Sequence, residues 1–494
     1  MKKFPFRTSG FATLEILIAL FILTTALSAS TLVAFGNQTL LLDSISDREA
    51  VSLATTLLET AESKALMDWR GVAPLATSTG RFEGTLEITS LDYVTKKLTA
   101  KVSWKNSYNL SQYVVLSSLI TDFQNNAEGE TCDPYLSGDW TAPEIKNSIT
   151  AFKELVGDPS GNYTITDLDA YHDRLFVTVN NSSQNKETFF VFDVHDSENP
   201  TLMSKLDNDP LLNTGLNAVT IASTTDGVFA YVASATSFVK GQLQIINVSV
   251  NPPVVVKTFK IPLGIVAGSS TQGIGARIAY KNGYVYLGLT KTTNGPEFNI
   301  IDVRNPYTPV WVGGFNIGST INDIVIKGQY AYLATPNTQE LIILDITDPT
   351  YPTMVGGFDA PSTNTTGSGK SLYLADDRVY LGRTTTSGNP EFYSIDNNPT
   401  TFIPHILGSK EVNTSINQLL VRDSLAYFLT TTGMLQFWNI TTTTNITPYT
   451  LSIVLPESSK GVALDCEKNT LFVGSVPTTG SFIDQGFLSI MSTP

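Results

Sequence analysis

Charged side chains are scarce in this chain. Asp, Glu, Lys and Arg make up 15% of its 494 residues, against roughly 25% in ordinary globular domains. Acidic residues outnumber basic ones by 45 to 31, which leaves a formal net charge of −14. Because such a polyanion repels the phosphate backbone, nucleic acid is not expected as a partner.

Histidine and cysteine are also rare, with three and two residues respectively. So few residues exclude a zinc cluster of these ligand types, and two cysteines exclude a disulfide-rich miniprotein. The sequence contains no HExxH, GxSxG, P-loop or EF-hand pattern. We therefore expect no metal, no cofactor and no enzymatic turnover.

One long apolar run stands near the N-terminus. The basic residues Lys2, Lys3 and Arg7 precede residues 11–35, which contain a single charge, Glu15, and no proline. This run is long enough to span a bilayer, and the positive-inside rule keeps its basic end cytoplasmic. A plain signal anchor would fit too, but it leaves the carboxylate unpartnered in hydrocarbon, at a cost of about 2.5–3.5 kcal/mol.

The residues at the start of this run, Gly10-Phe11-Ala12-Thr13-Leu14-Glu15, resemble the processing site of type IV prepilins and pseudopilins. The resemblance implies that residues 1–10 are a leader peptide and that a prepilin peptidase cleaves after Gly10. It also implies N-methylation of Phe11. The cationic amine of Phe11 on one subunit would then meet Glu15 of a neighbour in the apolar filament core, where neither charge is tolerated alone.

A helical pattern continues past the membrane run, at Ala50, Leu53, Ala54, Leu57, Leu58 and Ala61. The segment 71–80, which contains Pro74, ends it. The sequence predicts one helix over residues 11–67, about 85 Å long at 1.5 Å per residue. The pattern is that of an amphipathic helix packed on its own domain. The long helical spine of pilins, which this helix resembles, packs on its domain in the same way.

Alternating segments at 85–88, 98–104 and 113–119 predict a small antiparallel sheet on that helix. The stretch Val102-Ser103-Trp104-Lys105, with the strand that follows it, resembles the globular part of minor pilins and pseudopilins. The expected fold is therefore an α+β pilin module, with a β domain over 68–125 and a linker over 126–143.

A turn followed by an alternating strand with an aromatic residue occurs seven times. The aromatic positions are Phe176, Tyr231, Tyr286, Tyr332, Tyr380, Tyr427 and Phe472, at intervals of 45 to 55 residues. That spacing predicts an all-β, seven-bladed β-propeller over residues 144–494. The unit 323–349 resembles the LVIVP repeat of bacterial surface β-propellers. Asp and Asn residues that recur once per unit, as in Asp302 and Asp345, are interpreted as turn-closing residues.

Closure of the ring can also be argued. The seventh unit ends after a third strand at 486–491, so we expect segment 145–155 to supply its fourth strand and to cover two exposed sheet edges. Cys132 precedes this segment and Cys466 lies in the seventh unit. The two form a disulfide in this interpretation; two separate thiols are the alternative.

Propellers usually bind ligands at the mouth of the central channel, where the innermost strands begin. When the units are aligned on their aromatic residues, five polar side chains fall near those starts: Asp167, Arg277, Asp323, Lys370 and Asn417. They form a candidate ligand-binding ring, or they merely hydrate the channel.

The sequence thus predicts a minor type IV pilin-like subunit that displays a propeller at or near a filament tip, for adhesion or recognition of an unknown surface ligand. Its partners would be a prepilin peptidase, other pilin subunits and, as a single-pass protein before assembly, the cytoplasmic membrane; its final place would be an extracellular pilus or the cell surface. The alternatives are a secretion-system pseudopilin that contacts cargo, a tethered propeller enzyme acting on a surface polymer, and an anchored propeller that never polymerises.

Overall fold

The computed structural model describes residues 11–493 except 68–73, 91–94, 107, 122–138, 151–162, 181–186, 207–214, 236–240, 263–272, 294, 362–366, 376–377, 387, 397–402, 423, 443, 457–458, 468 and 479–485. The chain divides into two compact units, Met1–Asp122 and Phe123–Pro494. The predicted leader, residues 1–10, lies outside the described residues, as does Cys132.

The first unit begins with a single helix, α1 (Phe11–Met67), of 57 residues. Its segment Leu14–Gly36 is long and apolar enough to cross a membrane, and none of it is buried within the chain. Hydroxyl groups in this segment donate to carbonyl oxygens one turn earlier, as Thr25 Oγ1 does to Phe21 O at 2.8 Å and Ser28 Oγ does to Thr24 O at 2.7 Å. These bonds satisfy the hydroxyls within the helix itself.

The second half of α1 packs on a four-stranded antiparallel sheet in the order β1-β2-β3-β4. The strands are β1 (Leu75–Thr79), β2 (Phe82–Ser90), β3 (Thr95–Lys105) and β4 (Ser111–Thr121). The predicted strands lie within β2, β3 and β4. The helix buries its apolar stripe, Ala50 to Ala61, against Leu86, Leu98 and Val102. Small alanines on the helix allow this close approach to the sheet.

The described residues of the second unit form seven four-stranded antiparallel sheets. They are formed by β6 (Thr164–Tyr171), β7 (Arg174–Asn180), β8 (Phe189–Asp193), β9 (Thr201–Leu206); β10 (Leu216–Thr224), β11 (Gly227–Ser234), β12 (Leu243–Asn247), β13 (Val254–Phe259); β14 (Gly275–Lys281), β15 (Tyr284–Leu289), β16 (Phe298–Asp302), β17 (Val310–Phe315); β18 (Asp323–Lys327), β19 (Tyr330–Ala334), β20 (Leu341–Asp345), β21 (Thr353–Phe358); β22 (Gly369–Ala375), β23 (Arg378–Arg383), β24 (Phe392–Asp396), β25 (Ile406–Lys410); β26 (Ile416–Arg422), β27 (Leu425–Thr430), β28 (Met434–Asn439), β29 (Thr447–Val454); and β30 (Ser459–Glu467), β31 (Thr470–Pro477), β32 (Phe487–Ser492) with β5 (Glu144–Thr150).

These sheets follow one another in a closed order. The first strand of each sheet contacts the first strand of the next, and β30 of the last sheet contacts β6 of the first. The last sheet takes its fourth strand from the other end of the unit, because β5 pairs antiparallel with β32, with Ile149 opposite Leu488. Residues 151–155 of the predicted closing segment lie outside the described residues. The unit is therefore a propeller-like all-β domain.

The repeated aromatic residues occupy the space between sheets. All seven are at least nine-tenths buried; Tyr332, for example, packs with Phe358 of its own sheet and with Tyr393 of the next sheet. Second strands such as β19 are buried almost throughout, whereas fourth strands such as β13 are half exposed. Burial of both faces of the inner strands makes the sheets depend on their neighbours.

The recurring Asp and Asn residues at the ends of the third strands close turns, as predicted. Their Oδ1 atoms accept from the backbone N–H two residues later, at distances of 2.8 to 3.0 Å, at Asp193, Asn247, Asp302, Asp345 and Asn439.

Candidate functional site

The five candidate ring residues lie on the innermost strands but not at one level. Most of these strands carry a β-bulge near their start, such as the register shifts between Gly275 and Arg277 in β14 and between Ile416 and Gln418 in β26. Arg277 directly follows its bulge, and so does Asp167. Lys370 and Asn417 are themselves the bulged residues. The five residues therefore occupy different register positions: Asp167, Arg277 and Asp323 lie at paired positions, whereas Lys370 and Asn417 lie in the bulges.

Arg277 is the centre of the ring's electrostatics. Burial raises the pKa of Asp167 to about 6, and the positive charge of Arg277 opposes that rise. Burial likewise raises the pKa of Asp323 to about 6, and the positive charge of Arg277 again opposes the rise. The pKa of Lys370 is lowered, first by burial and then by Arg277. These four groups share one electrostatic environment, and Asn417 stands apart from it.

Each of the two aspartates links its strand to the next. Asp167 Oδ2 accepts from the backbone N–H of Val219 at 3.1 Å, and Asp323 Oδ2 accepts from that of Leu372 at 2.8 Å. Arg277 Nε donates to the carbonyl oxygen of Asn322 at 2.7 Å. These bonds join neighbouring sheets through side chains of the candidate ring.

Bulged asparagines make a second set of links. Asn417 Nδ2 donates to Gly461 O at 2.6 Å, and Asn217 Nδ2 donates to Gly275 O at the same distance. Asn322, just before β18, reaches Gly369 O in the same way. The arrangement joins consecutive innermost strands by side chains, which main-chain ladders cannot do between separate sheets.

Sequence reasoning missed three acidic residues at the junction of the first and last sheets. Asp169 Oδ2 accepts from Ile221 N at 2.8 Å, Asp465 Oδ2 from Ala170 N at 2.7 Å, and Glu467 Oε2 from Asp173 N at 2.9 Å. Burial raises the pKa of Asp465 to about 7. Burial and then the charge of Asp465 raise the pKa of Asp169 well above its usual value. The signal in the sequence is the alternation of acids two residues apart, in 167–169 and 465–467.

A side-chain to backbone hydrogen bond also recurs just before several of the third strands. The residue before four of these strands is a buried amide or carboxylate whose side-chain oxygen accepts the backbone N–H of the residue two positions after the fourth strand of the same sheet. The pairs are Gln242 with Ile261, Glu297 with Ile317, Glu340 with Ala360, and Glu391 with Val412, at 2.8 to 3.1 Å. These bonds fix the connection that leads into the following sheet.

Two of these carboxylates have charged neighbours. Arg383 is fully buried. Its Nε donates to Glu340 Oε1 at 2.8 Å, and its Nη1 donates to Pro390 O at 2.7 Å. Burial and the adjacent Glu391 raise the pKa of Glu411. Glu391 accepts from Val412 N, Asn413 N and Thr385 Oγ1, so both of its oxygens are engaged. These bonds hold Glu391 within the protein interior.

Cys466, one of the two cysteines of the predicted disulfide, lies in β30 of the last sheet. Cys466 is buried and disulfide-bonded. Trp140, just before β5, packs nearby: its Nε1 donates to Asn469 Oδ1 at 2.9 Å, and the Arg422 guanidinium lies 4.4 Å from its ring. In the described part of the chain, no group of three or more His, Cys, Asp or Glu side chains could hold a metal ion.

At the N-terminal site, Phe11 is the first residue of α1, and Glu15 lies exposed on the same helix. Glu15 is the one charged residue within Leu14–Gly36. The helix therefore presents a single carboxylate in an apolar surface that the chain itself does not cover.

Comparison with known protein families identifies a repeat. A family model described as the LVIVD repeat matches residues 318–360, which contain β18 to β21. Together with the repeated sheets, this match makes the chain a β-propeller-like repeat protein. No curated protein matches the sequence.

Solved structures match with low identity. The computationally designed Ika8 protein is 12% identical with a TM-score of 0.43, covering 67% of this chain and 98% of its own. Saccharomyces cerevisiae Sqt1 is 12% identical with a TM-score of 0.42, covering 64% and 81%. A functionally unknown protein from Desulfotomaculum acetoxidans is 13% identical with a TM-score of 0.42, covering 72% and 95%.

Proposed function

We propose that this chain is a minor type IV pilin-like subunit that displays a seven-bladed β-propeller outside the cell for adhesion or recognition. The observation that carries the proposal is the surface of α1. Its segment Leu14–Gly36 is apolar and uncovered, and it contains one carboxylate, Glu15. The same helix continues without interruption into a half that packs on the sheet β1–β4.

A lone carboxylate in such a surface needs a partner of opposite charge. In hydrocarbon it costs about 2.5–3.5 kcal/mol, and a plain anchor offers nothing to offset that cost. Processing after Gly10 creates an amine at Phe11, and the amine of one subunit can neutralise Glu15 of the next. Polymerisation of α1 therefore explains why an acid is present where an anchor would have none.

The propeller is the displayed part in this proposal. The polar atoms of Asp167, Arg277 and Asp323 are used in links between sheets, and the carboxylates of Glu340 and Glu391 are used in internal bonds. These engagements favour a rigid binding module over a tethered enzyme. A load of this size would crowd neighbours along a shaft, which favours a position at or near the filament tip.

The test is immunogold labelling of intact cells with antibody to the propeller, in wild type, Glu15→Gln and the matched control Glu59→Gln. Glu59 is an exposed carboxylate on the same helix, outside the apolar segment. We expect label at filament ends in wild type and control, and label confined to the envelope in Glu15→Gln. Equal filament labelling in all three would contradict the proposal, and label along the shaft would move the subunit from the tip.

A further inference from the structure

One sheet edge in the first unit is unprotected. Strand β4 stands at the edge of its sheet and pairs with β3 over eleven consecutive residues without a register shift. Its sequence, SQYVVLSSLIT, contains no charged residue and no proline. Edge strands normally carry such features, because an open row of backbone N–H and C=O groups is a template for another strand.

The outer strands of the second unit carry β-bulges, which protect a sheet edge against pairing with another strand. Each of the seven fourth strands has a register shift where it pairs with its third strand. The other edge of the first sheet, β1, is only five residues long and polar at its exposed end. Among the described strands, β4 is the long, regular edge without a bulge.

The outward face of β4 is also apolar. Tyr113, Val115 and Leu119 are 67%, 45% and 64% exposed, while the alternate residues, such as Leu116, pack toward α1. The turn before the strand adds Tyr108 and Leu110, which are similarly exposed. In the described part of the chain, an open edge and a solvent-exposed apolar row thus coincide on one strand.

We propose that two copies of this chain pair through β4, antiparallel, about a two-fold axis at Leu116. Leu116 is the central residue of Ser111–Thr121, so this register overlaps all eleven residues. It places Tyr113 opposite the partner's Leu119 and Val115 opposite the partner's Ser117. In this register an odd-numbered residue always lies opposite an odd-numbered residue of the partner. The exposed apolar faces of the two β4 strands therefore lie on the same side of the joined sheet. The result is a continuous eight-stranded sheet.

Charge permits this pairing although the chain has a net charge of −14. The lysines nearest the seam, Lys97 and Lys101, lie on β3, opposite Leu119 and Val115. In the two-fold arrangement they are level with the partner's Ser103 and Thr99, so no like charges face each other. A neutral, self-complementary edge is the surface on which two such polyanions can meet.

The pairing does not depend on filament assembly and holds equally for a membrane-anchored protein. Its consequence is that two propellers are held together, so a surface that carries repeated ligands would be bound with avidity. The test therefore uses full-length chains in isolated membranes, before any filament forms.

The experiment is disulfide cross-linking between two chains with different epitope tags. One chain carries Val115→Cys and the other Ser117→Cys; a second combination is Tyr113→Cys with Leu119→Cys. Residues directly opposite have Cβ atoms about 4.5–5.5 Å apart, close to disulfide geometry, whereas diagonal neighbours are about 7–8 Å apart. Thr85→Cys, exposed on the same face but on the inner strand β2, is the matched control.

We expect both combinations to cross-link at least about tenfold faster than either single substitution or the Thr85→Cys control. In the second combination, Ser117→Lys should slow the reaction by a similar factor, and Ser78→Lys, exposed on the opposite edge strand β1, should not. Absence of cross-links in both combinations, or equal rates in all variants, would overturn the pairing. A Glu15→Gln background separates the two proposals, because it should abolish filaments and leave the cross-links intact.

Discussion

Acidic residues at the junction of the first and last sheets make the stability of the second unit depend on pH. Asp465 is a clear case, with a pKa raised from 3.8 to about 7 by burial, and with Asp167 and Glu467 adding like charge around it. A group whose pKa is raised in the fold binds its proton more tightly there than in the unfolded chain. Its contribution is fully present below about pH 4 and is lost as pH rises through about 7.

The magnitude follows from the shift. Roughly three pKa units correspond to about 4 kcal/mol between the protonated and ionised states. Asp465→Asn removes the charge but keeps an oxygen that can accept from Ala170 N. We therefore expect the variant to match wild type near pH 4 and to exceed its unfolding free energy by up to about 4 kcal/mol near pH 8.

The assay is denaturant unfolding of the full-length chain in detergent between pH 4 and pH 8, followed by tryptophan fluorescence. Asp226→Asn, the same substitution in an exposed turn, is the control and should leave the wild-type pH profile unchanged. A wild-type stability that increases from pH 4 to pH 8, or an Asp465→Asn profile as steep as wild type, would refute the reasoning.

Two other substitutions test the packing of the second unit by the same unfolding measurement. Arg383→Met leaves Glu340 buried without its cation and should cost about 3–5 kcal/mol. Adding Glu340→Gln, which removes the charge and keeps an oxygen for Ala360 N, should recover most of that loss. A double variant as unstable as the single one would argue against a buried ion pair. Trp140→Ala removes a buried ring and should cost about 3–5 kcal/mol, whereas Trp140→Phe, which loses only the bond to Asn469 and part of the contact with Arg422, should cost about 1–3 kcal/mol. Equal losses for both Trp140 variants would show that the ring itself contributes little.

The sequence was sufficient for features that depend on local pattern. The predicted helix over 11–67 coincides with α1, because its apolar spacing and the proline-containing segment after it are both local signals. The spacing of the aromatic residues located the second strand of each sheet in the ring. The post-proline segment near residue 145 suggested β5, which pairs with β32.

The candidate ring shows where local pattern is insufficient. A β-bulge leaves no mark in a single sequence, so the sequence did not show that Lys370 and Asn417 are bulged residues. The links from Asp169 and Asp465 to neighbouring strands depend on contacts between separate sheets, which residue spacing within one unit does not contain. Arg383 and Glu340 are 43 residues apart and meet only because their sheets are adjacent.

The most direct test of the pilin-type account is the N-terminal residue of the mature protein, determined by mass spectrometry of the chain isolated from its own host. The account predicts that the mature chain begins at Phe11, with a methylated amine. A mature chain that begins at Met1 would contradict it, because Glu15 would then have no neighbouring terminus to neutralise it.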